Sequence, residues 1–260
     1  MDWREIKLAE GDKDARTGRR DSEQYSVMTC LGKLLPEKKE HSREEKDWAI
    51  DLIERRFNQR FIKPLNSLMK PRDSPASDEF VAIGFTIMAV ASLMIETLAC
   101  FRSGQWTTYG KDDDPRFEGK RKSTGWLTGK ESFGKFLGDS GNSFNSGKIR
   151  FSEQQGKDFY SDIRCGILHQ GETKGGWRIW RVGEAIDRTR PSINALKFLK
   201  LLEDEGDRYR RELGDVANLQ SERLWKACRY KILGICVNAG WKKDWPVGSG
   251  QLVKWEDYSP

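Results

Sequence analysis

Histidine is scarce in this sequence of 260 residues, which contains only His41 and His169. The five cysteines are scattered and include no CxxC pair, so neither a zinc site nor a disulfide framework is indicated. A chain this poor in clustered nitrogen and sulfur ligands does not fit a transition-metal enzyme, and we expect no metal and no cofactor. Thiols without obvious partners favour a reducing, cytoplasmic location.

Other catalytic and targeting signatures are missing as well. The sequence has no P-loop, no glycine fingerprint for a dinucleotide, no serine-nucleophile motif and no internal repeat. It begins with a polar stretch that lacks the apolar core of a signal peptide, which again favours the cytoplasm.

Only one long apolar run occurs, at residues 80–101, and it is long enough to span a bilayer. Glu96 lies well inside this run, where a charge costs roughly 2.5–3.5 kcal/mol on membrane-insertion scales. No second such run exists, and the remaining sequence is hydrophilic. We therefore favour a buried central helix and expect no membrane association, with a membrane span as the alternative.

Charged residues make up 33% of the sequence, and the formal net charge is +6. This basic excess favours a polyanionic partner, and an ordinary solvated surface is the equal alternative. The length of the chain favours a single domain with an additional segment.

Apolar spacing predicts an all-α protein, a bundle of about five helices. Capping boxes at Ser42 with Glu45 and at Ser152 with Gln155 mark the beginnings of two helices, and Pro64 is expected to disturb the end of the first. The predicted buried positions of these two helices are Ala49, Leu52, Ile53, Phe57, Phe61, Phe159, Ile163 and Ile167.

We divide the sequence into a polar leader at residues 1–41, a helical domain at 42–239 and a tail at 240–260. An irregular insertion with nine glycines interrupts the domain at residues 103–150. An interruption of this length is often functional, and a tolerated surface insertion is the equal alternative. We expect a short helix within it at residues 131–137.

The most informative stretch is residues 159–169, where Arg164 precedes His169 by five positions. The imidazole of a histidine titrates near neutral pH and can move a proton, and a guanidinium can grip a phosphate through two hydrogen bonds. Residues five apart on an ideal helix point about 140° apart. The two side chains therefore converge only if the helix ends near His169 or a partner protomer completes the site. The alternative is structural, with His169 simply favouring the helix dipole.

Two long helices followed by a helix with Arg-x4-His resemble the HEPN superfamily. The string FYSDIRCGILHQGETKGGWRI, at residues 159–179, is also similar to the motif region of prokaryotic HEPN-type proteins. The resemblance covers roughly residues 43–238. It implies a metal-independent endoribonuclease that acts as a homodimer with a composite active site. It also implies an antiphage defence or toxin–antitoxin setting, with an antitoxin or another defence-system protein as a partner.

The resemblance assigns roles to the motif residues. His169 would take the proton of a ribose 2′-hydroxyl or return one to the leaving 5′-oxygen, and Arg164 would stabilise the charge on phosphorus. The products would be a 2′,3′-cyclic phosphate and a 5′-hydroxyl. Some members of the superfamily carry an acidic residue on the preceding long helix that orients the arginine. We therefore predict that Glu96 pairs with Arg164, with Arg102 or solvent as the alternative partner.

Further residues around the motif are candidates for binding RNA. Residues 177–182 interleave aromatic and basic side chains, as single-strand binders do, and also predict a strand of a short β-hairpin. Ser192 is expected to cap the next helix. The predicted RNA contacts are Tyr160, Gln170, Lys174 and Arg178.

A non-catalytic helical module that binds nucleic acid or a partner protein is the alternative function. In the HEPN superfamily the residue after the motif arginine is often polar, but here it is Cys165. This departure and the long insertion both leave room for the alternative.

Overall fold

The computed structural model describes residues 7–11, 24–34, 42–68, 77–106, 108, 127–145, 150–181, 183–215 and 219–239. Within these ranges the chain is mostly helical, with one small sheet, as predicted. The α-helices are α1 (Val27–Leu34), α2 (Arg43–Phe57), α3 (Lys63–Leu68), α4 (Ser77–Ser103), α5 (Gly129–Gly138), α6 (Glu153–Phe159), α7 (Cys165–Gln170), α8 (Ala195–Gly214) and α9 (Leu219–Asn238).

Two π-helical turns join neighbouring helices. The turn Asn58–Ile62 links α2 to α3, and the turn Tyr160–Arg164 links α6 to α7. The described ranges therefore contain seven continuous helices where about five were expected. The additional ones are α1, which lies in the expected leader, and α5, which lies in the expected insertion.

The chain divides into two compact units. Unit 1 comprises residues 1–59, 101–123 and 210–260, and unit 2 comprises residues 60–100 and 124–209. The expected tail at 240–260 and residues 107, 109–126 and 146–149 of the insertion lie outside the described residues.

In unit 1, α1 packs against α9. The Sγ atoms of Cys30 and Cys236 lie 3.6 Å apart, and a side-chain nitrogen of Arg229 donates to the carbonyl oxygen of Leu34 at 2.8 Å. Four apolar residues of α1 are fully buried at helical spacing: Val27, Cys30, Leu31 and Leu34. The expectation of a polar leader with little to pack is therefore wrong for this segment, where a short apolar stripe is set in a polar sequence.

The continuous helix formed by α2, the π-helical turn and α3 begins with the predicted capping box. The side chains of Ser42 and Glu45 each accept a hydrogen bond from the backbone amide of the other residue. Its predicted apolar positions from Ala49 to Phe57 are buried, whereas Phe61 is only half-buried. The helix does not end at Pro64 but continues to Leu68. A π-helical turn directly before a proline widens the backbone where the ring would otherwise clash with a carbonyl one turn back.

Helix α4 contains the long apolar run. Among the described residues, Ile83–Ser103 is long and apolar enough to cross a membrane by length and composition, and 56% of its most apolar window is buried. Core helices share these properties, so the finding does not by itself indicate a membrane span. The helix is not buried all round, because Thr86 and Leu93 are exposed.

In unit 2, α5 and α6 approach closely through glycines. A Cβ on Gly156 would lie 2.7 Å from the carbonyl oxygen of Phe133 and 2.9 Å from the Cα of Gly134. Helix α5 confirms the short helix expected within the insertion, and it is part of a packed aromatic cluster rather than an irregular loop. The buried rings of this cluster are Phe133, Phe136, Phe144, Phe151, Phe159 and Phe198.

Three short strands complete unit 2: β1 (Arg178–Trp180), β2 (Ile186–Asp187) and β3 (Ser192–Asn194), in the order β1-β3-β2. Strands β2 and β3 form an antiparallel hairpin, but β1 pairs with β3 in parallel, so the hairpin lies after the expected segment. Ser192 is in β3 and does not cap α8. The side chain of Asn194 does so by accepting from the amides of Leu196 and Lys197.

We expect Gly156→Ala to lower the free energy of unfolding by about 1–3 kcal/mol, because the added methyl group would push two helix backbones apart. Urea denaturation followed by circular dichroism measures this loss. Gly32→Ala is the matched control, since Gly32 is exposed in α1 and an added Cβ would meet nothing within 4 Å. That variant should be neutral or more stable by up to about 1 kcal/mol. Equal stability of the two variants would contradict the close approach of α5 and α6.

Candidate active site

The motif lies on the continuous helix formed by α6, the π-helical turn and α7. Ser152 and Gln155 form the predicted capping box at its beginning. The predicted stripe is buried, with Phe159, Ile163 and Ile167 all facing the core. The helix is therefore oriented as the apolar spacing predicted.

The π-helical turn places the motif arginine in the interior. The amide of Cys165 donates to the carbonyl of Tyr160, five residues back, so this turn holds one residue more than an α-helical turn. Consequently both Ile163 and Arg164 are buried, although they are adjacent in sequence. Turns of this kind are rare and are frequent at functional sites.

Arg164 forms a buried ion pair with Glu96 of α4. The Nε atom of Arg164 lies 2.8 Å from Oε1 of Glu96, and the two residues are only 6% and 9% exposed. The predicted pairing is thus present, and Arg102 instead pairs with Glu212 at 2.8 Å. Burying either charge alone would cost several kcal/mol of desolvation free energy, and the ion pair offsets this cost.

Tyr160 covers the guanidinium rather than facing solvent. Its ring centroid lies 5.3 Å from the guanidinium carbon of Arg164, and the ring packs edge-on against Phe133 at 5.2 Å. A Cβ on Gly129 would lie 2.8 Å from the tyrosine hydroxyl oxygen, so α5 also presses on this ring. The half-buried Tyr160 therefore holds Arg164, and this packing does not favour its predicted contact with RNA.

His169 is exposed in the last turn of α7. The helix ends directly after it, because Gly171 adopts a left-handed conformation with φ of 69° and donates its amide to the carbonyl of Ile167. This ending alone does not bring the motif side chains together. Arg164 is buried and His169 is exposed, as the divergence of about 140° between positions five apart on a helix requires.

The chain reverses after His169 and packs back against its own helix. A Cβ on Gly166 would lie 2.5 Å from the carbonyl oxygen of Glu172, and the amide of Lys174 donates to the carbonyl of Asp162 at 2.8 Å. Only a glycine at position 166 allows this approach. This requirement for glycine at position 166 was not predicted from the sequence, although Gly166 and Gly171 on either side of His169 could have indicated a close backbone approach.

Three of the predicted RNA-binding residues, Gln170, Lys174 and Arg178, are exposed. They follow His169 along the reversal and into β1. Of the tryptophans, Trp177 packs edge-on against Phe159 with ring centroids 6.3 Å apart, whereas Trp180 is 47% exposed. Trp177 is thus half-buried and packed, whereas Trp180 is open to solvent.

Two exposed leucines close to the ion pair were not singled out from the sequence. Leu93 lies three residues before Glu96 on α4 and is 43% exposed, and Leu168 lies four residues after Arg164 and is 39% exposed. Both positions are on the helix faces next to those of the paired residues. The site is therefore bordered by apolar surface.

The described residues contain no group of three or more His, Cys, Asp or Glu side chains that could hold a metal ion. Cys165, beside the motif arginine, is half-buried. Comparison with protein-family models, with curated proteins and with solved structures finds no match to this chain. Its function is therefore inferred from the chain's own residues.

Replacing either partner of the buried pair, as in Glu96→Ala or Arg164→Ala, should lower the free energy of unfolding by about 3–5 kcal/mol. The double variant should be more stable than the sum of the two losses by about 1–3 kcal/mol, because no single charge is then left buried. Denaturant unfolding of all four proteins gives this coupling free energy.

The matched control for this cycle is Asp204→Ala, which breaks the exposed pair between Asp204 and Lys200, 3.0 Å apart. Its loss should be about 0–1 kcal/mol. Strict additivity of the Glu96 and Arg164 losses would contradict a stabilising ion pair.

Proposed function

We propose that this chain is a metal-independent endoribonuclease of the HEPN type, with a cytoplasmic role in antiphage defence or as the toxin of a toxin–antitoxin pair. The observation that carries the proposal is the buried pair of Glu96 with Arg164, formed five residues before an exposed histidine that ends its helix. A fixed permanent cation and a solvent-accessible imidazole are the two groups that metal-free cleavage of RNA needs.

In this proposal His169 is the general acid–base residue. It takes the proton of a ribose 2′-hydroxyl, whose oxygen then attacks the adjacent phosphorus, and a proton returns to the leaving 5′-oxygen. Arg164 stabilises the negative charge that develops on the phosphoryl oxygens, and Glu96 is a positioning residue that holds the guanidinium. The products are a 2′,3′-cyclic phosphate and a 5′-hydroxyl, and no cofactor takes part.

The divergence of Arg164 from His169 requires a second protomer. A two-fold axis near the motif helix would bring His169 of one chain toward Arg164 of its partner, which gives a composite site. The exposed Leu93 and Leu168 support such an interface. Another copy that covers these two side chains would remove their apolar surface from water, which would stabilise the dimer.

A non-catalytic binding module is the second candidate. The observation that favours it is the depth of Arg164, which is held by Glu96 and covered by the ring of Tyr160. An arginine in these surroundings can serve stability alone. In this case the exposed basic residues would bind nucleic acid or a partner protein without cleaving it.

The decisive test is cleavage of an end-labelled single-stranded RNA in excess EDTA. Wild type should cleave it and leave cyclic-phosphate ends, while His169→Ala should lose at least about a hundredfold in rate, the usual contribution of a general acid or base. Arg164→Lys keeps the charge but loses the forked geometry, so it should also be impaired.

The matched control is His41→Ala, which removes the other histidine of the chain and should cleave like wild type. A DNA of the same sequence should remain intact, because it lacks the 2′-hydroxyl nucleophile. If His169→Ala cleaves at the wild-type rate, cleavage does not depend on His169 and the proposed active site is wrong. If wild type does not cleave the RNA, the endoribonuclease proposal fails and the binding module takes its place.

The composite site predicts that an interface variant loses activity with the dimer. Leu168→Asp places a charge in the proposed interface and should weaken self-association at least about tenfold, with a parallel loss of cleavage at low protein concentration. Sedimentation velocity measures the association. Met28→Asp is the control, because Met28 is a similarly exposed apolar residue on α1 in unit 1. A Leu168→Asp protein that remains dimeric and active would exclude this interface.

A further inference from the structure

We propose that the outer face of strand β1, formed by Arg178 and Trp180, is a docking platform for single-stranded RNA that delivers the strand to His169. This inference rests on the proposed function, since it names how the substrate is held. The docking itself needs only binding, so it can be tested apart from cleavage.

The two side chains share one face of the strand. Residues two apart on a β-strand point to the same side and are separated by about 6.6 Å along it. Both are exposed, and Trp180 is the most exposed large apolar residue among the described ones. Strand β1 is at the edge of the sheet, with β3 as its neighbour on one side only. The indole is thus available to a ligand from the open side.

The platform is rigidly mounted. Ile179, on the opposite face of β1, packs against α4 so closely that a Cβ on Gly84 would lie 2.9 Å from its Cγ2 atom. Directly before the strand, the ring of Trp177 contacts Phe159, and its carbonyl accepts a hydrogen bond from the hydroxyl of Thr173. The exposed tryptophan therefore stands on a fixed support, which lowers the entropy cost of binding a ligand.

Exposed residues connect the platform with the histidine. After His169 the chain turns at Gly171 and at the Gly175–Gly176 pair, whose φ angles are 65° and 74°. The hydrogen bond from Lys174 to the carbonyl of Asp162 fixes this reversal to the motif helix. Lys174 is exposed between the histidine and β1, so a strand bound along these residues passes one cationic side chain, with the exposed carboxylate of Glu172 two positions before it.

Charge and chemistry favour single-stranded RNA over other ligands. Arg178 and Arg190 are both exposed, and the amide of Arg178 donates to the carbonyl of Pro191, the residue that follows Arg190. An exposed indole beside such cations suits alternating bases and phosphates, with the base stacked on the ring and the phosphate on the arginine. A duplex hides the faces of its bases, so it would lose the stacking contact with Trp180.

The test uses the full chain carrying His169→Ala, so that binding is measured without cleavage. Fluorescence anisotropy with a labelled 12-nucleotide RNA should show about tenfold or more weaker binding when Trp180→Ala is added, while Trp180→Phe retains most of the affinity. Adding Arg178→Ala should weaken binding and reduce the salt slope by about one. Met28→Ala is the matched control for loss of an exposed apolar residue, because Met28 is 40% exposed on α1 and lies outside the proposed site, and it should bind like the parent.

The outcomes separate the platform from the proposed activity. Two results would contradict the platform even when wild type cleaves RNA. One is that Trp180→Ala binds the RNA as tightly as the parent. The other is that a duplex of the same sequence binds as well as the single strand and does so whether or not Trp180 is present. If wild type does not cleave but binding depends on Trp180, the platform stands and the endoribonuclease proposal fails. Circular dichroism of the Trp180→Ala protein confirms that it is folded.

Discussion

The arrangement of the motif depends on the ion pair between Glu96 and Arg164. A carboxylate inside an apolar helix and a guanidinium on a buried turn are each unstable alone, and effective desolvation penalties are several kcal/mol per ion. Their contact fixes the rotation of the motif helix relative to α4 within unit 2. Because the arginine is held inward, the histidine five positions later is directed outward. One interaction thus determines both the buried and the exposed part of the motif.

The π-helical turn makes this arrangement compatible with a well-packed core. A regular α-helix would direct Ile163 and Arg164 about 100° apart, and the apolar stripe would leave no inward place for the arginine. The additional residue in the turn lets both side chains reach the interior. The ring of Tyr160 then covers the guanidinium, so this residue supports the charge pair. Local backbone irregularity here serves the placement of a charged group.

Local signals in the sequence predicted local structure well. The capping boxes at Ser42 and Ser152 depend on residues three apart, and the burial of Phe159 follows from helical spacing. That Glu96 needs a partner was predictable because a charge in an apolar helix is costly, whereas the choice of Arg164 over Arg102 came from the resemblance. The π-helical turns and the parallel pairing of β1 with β3 were not, since neither leaves a periodic pattern. Helix α1 was overlooked because eight residues of apolar spacing are hidden in a polar context.

The docking of α1 on α9 has a consequence for the order in which the chain folds during synthesis. Cys30 meets Cys236, which is made 206 residues later. At bacterial or eukaryotic elongation rates of about 5–20 residues per second, Cys236 is added about 10–40 s after Cys30. All segments of unit 2, by contrast, have been made once Tyr209 has been added. Synthesis of the unit with Glu96, Arg164 and His169 is therefore complete before α9, the partner of α1, has been made.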